Sequence, residues 1–248
     1  MPVPASMWRS KHRTEEAWSQ SAVATIELIC RHLGVDSLAS ISMLDVGCGT
    51  KLTKAFLEHD LPIARYVGLD VYKEMVDHLR DHVRDPRFAY HHVDFHNARY
   101  HPTGTPMSEY GALPLDEQFD VIGLFSVFTH LAPVDFSGML RLLRPAAKPE
   151  GRLIFSLYLN ETTAKGYGIM DKWAPIYESA IRENPEVLSR ANGLDPPDFV
   201  DLLPDRPLEA AVYSREFALS LLEKSEWEIE SLNPPEWFIQ HHFVCRPA

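Results

Sequence analysis

A chain of 248 residues, 45% hydrophobic and 24% charged, can bury a core without disulfide or metal staples, as one large domain or one domain with an insertion. This ordinary composition excludes collagenous, coiled-coil and disordered classes. The formal net charge of −11 argues against a nucleic-acid backbone or an anionic membrane surface as the main partner. Cys30, Cys48 and Cys245 lack zinc-type spacing and read as reduced thiols of a cytoplasmic protein. No apolar run reaches the ~18 residues of a membrane span, and the polar, charged start is not a secretory signal.

Residues 15–33 read as a helix, with Ala22, Ile26, Ile29, Cys30 and Leu33 on one stripe and Gly34 as its stop. A short apolar run at 42–46 leads into Gly47-Cys48-Gly49, and a helix follows over 52–58. A second run, 65–71, is followed by a helical pattern over 73–83 that Pro86 closes off. Further strands are expected at 88–94 and 119–125, the latter apolar enough for burial on both faces. A helix at 133–143 and a strand at 152–159 complete the alternation. Alternating strands and helices predict a parallel, helix-covered sheet.

Residues 160–213 break that rhythm. They are rich in Pro, Gly, Asp and Glu, with apolar islands at Met170–Tyr177 and Phe199–Leu203. So long a stretch is more than a plain connection, and a helical cap inserted after the fifth strand is expected. Ser214 then caps a helix over 215–224. Two last strands, 227–232 and 242–245, are joined by 233–241, a link too short for a crossover, so they pair antiparallel. The expected fold is α/β: a Rossmann-like, doubly wound, seven-stranded sheet, mostly parallel with an antiparallel last strand. It forms one domain over 1–248, with an N-terminal helical lid (1–40), a core (41–159 and 214–248) and a substrate cap (160–213).

Asp45-Val46-Gly47-Cys48-Gly49-Thr50 lies between a strand and a helix. Glycine there lets the backbone turn tightly and approach a ligand, and open α/β sheets bind ligands outside the carboxyl ends of their strands. A nicotinamide fingerprint would need glycine at the sixth position from Gly47, which is Leu52. Asp70, near the end of the second strand, suits two free ribose hydroxyls. Asp94, at the end of the third, suits an exocyclic amine. The set fits an adenosine without a pyrophosphate.

The stretches LDVGCGT (44–50), YVGLDV (66–71), HVDFHNARYHPTG (92–104), FDVIGLFSVFTHL (119–131) and LLRPAAKPEGRLIFS (142–156) together resemble the class I S-adenosylmethionine-dependent methyltransferases. The resemblance covers about residues 42–159, with 214–246 fitting the usual end of that fold. It implies S-adenosylmethionine as cofactor. Asp45, Gly47, Cys48 and Gly49 would surround its methionine portion, Asp70 and Val71 its ribose, and Asp94 with Phe95 its adenine. Phe125 and Ser126 would touch the methionine side. Lys51 departs from the family's frequent third glycine, which would either alter the turn or bring a cation near the cofactor carboxylate.

The implied activity is methyl transfer to a hydroxyl of a small molecule or saccharide, as in natural-product and glycan biosynthesis. The alternatives are a small amine as acceptor, or a non-catalytic cofactor-binding partner subunit. A hydroxyl acceptor needs a base. His130 is the first candidate, since an unperturbed imidazole titrates near ~6.5. His241 and His242 are the second, and strand alternation turns one of them away. Tyr158, Tyr167, Trp173, Tyr177 and Trp237 are candidate walls of the acceptor pocket. His91, His92, His96 and His101 crowd around Asp94 in no zinc-type spacing; a Mg2+ ion stays open because sugar-directed members of the resembled family sometimes use one. A second copy of the chain, in a homodimer, is the other partner considered.

Overall fold

The computed structural model describes residue 4 and residues 14–97, 100–183, 198–203, 205–236 and 239–248. Helix α1 (Glu15–Leu33) begins where the Thr14 hydroxyl accepts from the Ala17 N–H at 3.1 Å, a cap worth about 1 kcal/mol. It ends at Gly34, whose φ of +68° lets its N–H turn back to the Arg31 carbonyl. Its stripe of Ala22, Ile26, Ile29 and Cys30 is buried, as the periodicity predicts.

The alternation continues through β1 (Leu38–Val46), α2 (Lys51–Glu58), β2 (Ile63–Asp70), α3 (Lys73–His82), β3 (Phe88–His92), β4 (Phe119–Leu124), α4 (Pro133–Leu143) and β5 (Ala147–Leu159). Then come α5 (Ile169–Glu183), β6 (Phe199–Asp201), β7 (Ala211–Tyr213), α6 (Arg215–Glu223), β8 (Trp227–Asn233) and β9 (His241–Pro247). Strands β3-β2-β1-β4-β5 lie side by side and parallel. Leu153–Leu157 of β5 pair antiparallel with β9, and β9 pairs antiparallel with β8. These seven strands are the expected sheet, with its antiparallel last strand. Ser214 caps α6 as predicted, accepting from the Phe217 N–H at 3.1 Å.

Sheet alternation divides the core. Met43, Tyr66, Val121, Ile154 and Val244 pack under α1, α2 and α3. Leu44, Val67, Ile122, Phe155 and Phe243 face the side covered by α4 and α6. Period-two side chains on a central strand require both faces to be apolar. Burial of each large side chain of this kind contributes about 1.5–3 kcal/mol.

The insertion differs in part from a purely helical cap. It holds α5, kinked at Trp173 (φ −125°, ψ 17°) two residues before Pro175, where the proline ring breaks the helical ladder. It also holds β6 and β7. These pair with each other and join the end of β5 through Tyr158 and Leu159, so the sheet gains a hairpin. The insertion has its own small core of Tyr158, Ile169, Tyr177, Val200, Leu202 and Val212. Residues 184–197 lie outside the described residues.

Strand β3 stops at His92 and β4 at Leu124, before Asp94 and Phe125. The sheet order reverses between β2 and β4 on either side of β1. That reversal opens a crevice above the carboxyl ends of the strands.

Candidate active site

A cavity of about 1060 Å3 occupies this crevice. Asp45, Gly47, Cys48 and Gly49 line it from the β1–α2 turn, Asp70, Val71 and Tyr72 from the end of β2, and Val93 and Phe95 from beyond β3. Phe125, Ser126 and His130 line it from beyond β4.

The β1–α2 turn is built to let a ligand approach the backbone. Gly47 has φ +68°, a left-handed conformation in which a side chain is strained. A Cβ added there would also lie 2.6 Å from Val127 Cγ2. The N–H groups of Gly47 and Cys48 both donate to the Leu69 carbonyl, at 2.8 and 3.0 Å, pinning the turn to β2. Asp70 is held by two backbone donors, the Gly49 N–H at 3.0 Å and the Tyr72 N–H at 2.9 Å. Its carboxylate is thereby fixed on the cavity wall.

Asp45 is 3% exposed. Burial pushes its carboxyl up to about 7, although the Tyr66 hydroxyl donates to it at 2.5 Å and opposes the shift. Lys51 lines the same part of the cavity; burial pulls its ammonium down to about 8 while Asp45 pulls the other way. Burial raises the Cys48 thiol well above its ordinary value, so Cys48 stays a neutral packing group against Gly68 rather than a nucleophile.

Further polar residues, among them Ser126, His130 and Gln240, line the cavity. His130 sits in a short 3-10 turn (Phe128–His130) and its Nδ1 lies 3.0 Å from the Leu208 carbonyl oxygen. The Tyr100 ring meets it edge-on at 5.9 Å. The Asn97 amide donates to the His130 carbonyl at 3.4 Å. Ser126 has φ +61°, which is costly for a residue with a side chain. Its N–H donates to Ser156 Oγ at 2.8 Å, and its hydroxyl is hydrogen-bonded to the Gln240 amide. Gln240 Nε2 also donates to the Tyr158 hydroxyl at 3.3 Å. Trp18, Thr25 and Leu28 bring α1 into the wall. Residues 5–13 lie outside the described residues.

Most predicted cofactor residues therefore meet in one cavity, together with His130, His242 and Tyr158. Asp94 does not. Beyond β3, Thr105 comes back alongside the chain, its N–H donating to the Asp94 carbonyl at 2.7 Å. The half-exposed Asp94 carboxylate accepts from His101 Nε2 at 2.7 Å and Thr105 Oγ1 at 3.0 Å. Its neighbours Val93 and Phe95 reach the cavity instead.

His241 is also outside the cavity. It is 1% exposed, and its Nε2 lies 2.8 Å from Glu161 Oε1 without hydrogen-bonding geometry. His242 does line the cavity, but burial, with the neighbouring His32 imidazole, pushes it down to about 4. It is thus neutral and weakly basic at pH 7.

Of the predicted acceptor walls, Tyr177 and Trp173 pack in the core of the insertion. Tyr167 is on the surface, 39% exposed, beneath Lys172. Trp237 lies outside the described residues. Among the described residues no group of three or more His, Cys, Asp or Glu is arranged to hold a metal ion, and His101 is engaged by Asp94 instead. Sequence reasoning missed Asn97, Tyr100 and Glu209 as wall residues. Tyr100 belongs to the YHPTG stretch, which was one usable signal; Glu209 had none.

Comparison with known proteins agrees with the site. Residues 44–153 match the family model described as a methyltransferase domain. A malonyl-acyl-carrier-protein O-methyltransferase of Acetivibrio thermocellus is 27% identical over 127 residues, covering 51% of this chain and 38% of that protein. The match thus spans well under half the length of that relative.

Among solved structures, magnesium protoporphyrin IX methyltransferase of Synechocystis PCC 6803 with bound SAH aligns with a TM-score of 0.53 at 13% identity, covering 98% of this chain and 92% of that one. Mitomycin 7-O-methyltransferase aligns with a TM-score of 0.53 at 18% identity, covering 98% and 60%. At such identities the likeness is one of fold. In sequence motifs and sheet order, the chain resembles the class I S-adenosylmethionine-dependent methyltransferases. No helix among the described residues is long and apolar enough to cross a membrane.

Proposed function

We propose that this protein methylates a hydroxyl of a small molecule or saccharide, using S-adenosylmethionine, in natural-product or glycan biosynthesis. The observation that carries the reading is the single cavity that joins an adenosine-type wall to His130. The walls fit the cofactor in kind. Gly47 leaves room where a Cβ would fill the turn, Asp70 presents a fixed carboxylate, and Val93 and Phe95 are apolar. Asp45 and Lys51 offer opposite charges for an amino and a carboxylate group.

When bound, S-adenosylmethionine supplies an electrophilic methyl group on a sulfonium. This chain then has to orient the acceptor and remove its proton. Alignment accounts for much of the acceleration in such a displacement. His130 takes the hydroxyl proton at Nε2, a role worth about 10²–10⁴ in rate. The curated relative is by name an O-methyltransferase, which supports oxygen as acceptor. One observation favours the amine alternative: Glu209, whose carboxylate pairs with Arg206 at 2.9 Å, is an acidic residue of the wall, next in sequence to the Leu208 that meets His130.

The three free cysteines are all buried, which fits a reducing, cytoplasmic setting. A homodimer remains part of the proposal. The test is a screen of saccharides, polyketide-type phenols and small amines with a labelled methyl donor. Transfer to hydroxyl acceptors supports the reading; transfer to amines alone replaces it with the alternative.

A further inference from the structure

The insertion reaches His130 through one residue. Leu208 lies between β6 and β7 with φ +56°, a conformation that an L-residue with a branched side chain rarely adopts. Two hydrogen bonds hold it there. Its N–H donates to Asp201 Oδ2 at 2.8 Å, and its carbonyl faces His130 Nδ1 at 3.0 Å. The loop is closed by the Leu202 N–H, which donates to the Ala210 carbonyl at 2.9 Å. The Leu208 side chain packs against the main core, while Val200 and Leu202 belong to the core of the insertion. The loop is therefore anchored on both sides of the junction.

A carbonyl oxygen has no proton to give. His130 Nδ1 must therefore carry the proton, and in the neutral ring the lone pair resides on Nε2. An imidazole left to solvent has no such constraint, and a base with the wrong tautomer presents an N–H where it should accept a proton.

We propose that Asp201 and Leu208 are positioning residues: by fixing the strained Leu208 carbonyl on His130 Nδ1, the insertion selects the tautomer in which Nε2 accepts the acceptor's proton. This rests on the reading of His130 as the base. The same loop brings the next residue, Glu209, into the cavity wall. Acceptor contact and base orientation are thus set by one element, and no residue of the glycine-turn motif takes part.

The test is imidazole nitrogen NMR of the full-length protein, combined with steady-state kinetics. In the wild type, His130 should show a protonated Nδ1 and an unprotonated Nε2. Asp201→Ala removes the acceptor for the Leu208 N–H. It should mix the two tautomers and lower kcat about tenfold to a hundredfold, with the KM for S-adenosylmethionine within about twofold. Asp201→Asn keeps a carbonyl acceptor and should restore both the wild-type spectrum and the wild-type rate.

A wild-type His130 protonated at Nε2 overturns the proposal, and this result needs no variant to fold. So does an Asp201→Ala protein with unchanged spectrum and kcat. If the wild-type tautomer is as stated but no acceptor is methylated, the function reading fails while the positioning stands.

Discussion

Replacing Asp45 by asparagine should stabilise the ligand-free protein at pH 8 and leave it unchanged near pH 4. Burial holds the Asp45 carboxyl at about 7, against an ordinary value of 3.8. Between those values the folded protein keeps a proton that the unfolded chain releases. A raised folded pKa contributes its full stability below the unfolded value and loses it as pH rises through the folded value. The span is roughly three units at about 1.36 kcal/mol each, so the ionised carboxylate costs up to about 4 kcal/mol above pH 7. Nearby Lys51 makes this a ceiling.

Asparagine has the same shape, still accepts from the Tyr66 hydroxyl and has no charge to lose. At about 2–4 °C per kcal/mol for a chain of this size, Asp45→Asn should melt on the order of 10 °C above wild type at pH 8. The assay is a pair of thermal melts from pH 4 to 8.5 at one ionic strength; groups common to both proteins cancel in the difference. A gap that is constant with pH, or a wild type that gains on the variant above pH 7, refutes the buried-acid argument.

The remaining predictions use other parts of the cavity. Gly47→Ala should destabilise the protein by about 1–3 kcal/mol, since φ +68° and the 2.6 Å approach to Val127 act together; denaturant titration reads this, and an unchanged midpoint contradicts it. Asp70→Ala should weaken S-adenosylhomocysteine binding at least about tenfold through lost charge-assisted hydrogen bonds. His130→Ala should spare that binding and lower turnover about 10²–10⁴-fold. Equal loss of binding in both variants would remove His130 from the role of base.

The long, periodic elements were legible because their own residues determine them. The stripe on α1, the Ser214 cap and the short link before β9 each carry a local cause. β6 and β7 were not legible: three residues each give no alternation to read, and their pairing depends on the end of β5. Asp94 does not line the cavity; His101 and Thr105 hold its carboxylate through a fold of the chain that no local pattern announces. Alternation foretold that one of His241 and His242 would face away. Which one follows from the register with β5, where His242 sits opposite Ser156 and His241 opposite Leu157. The aromatics of the insertion looked like a pocket wall, but Tyr177 and Trp173 serve its own core. Glu209 and Leu208 reach the site only through tertiary folding of the insertion.

The most direct measurement is a calorimetric titration of the full-length protein with S-adenosylhomocysteine, with NADH as control. Micromolar binding of the first and none of the second is the predicted result. Binding of NADH, or no binding of S-adenosylhomocysteine, contradicts the assignment of the cavity between Asp45 and Phe95 to an adenosine-bearing methyl donor.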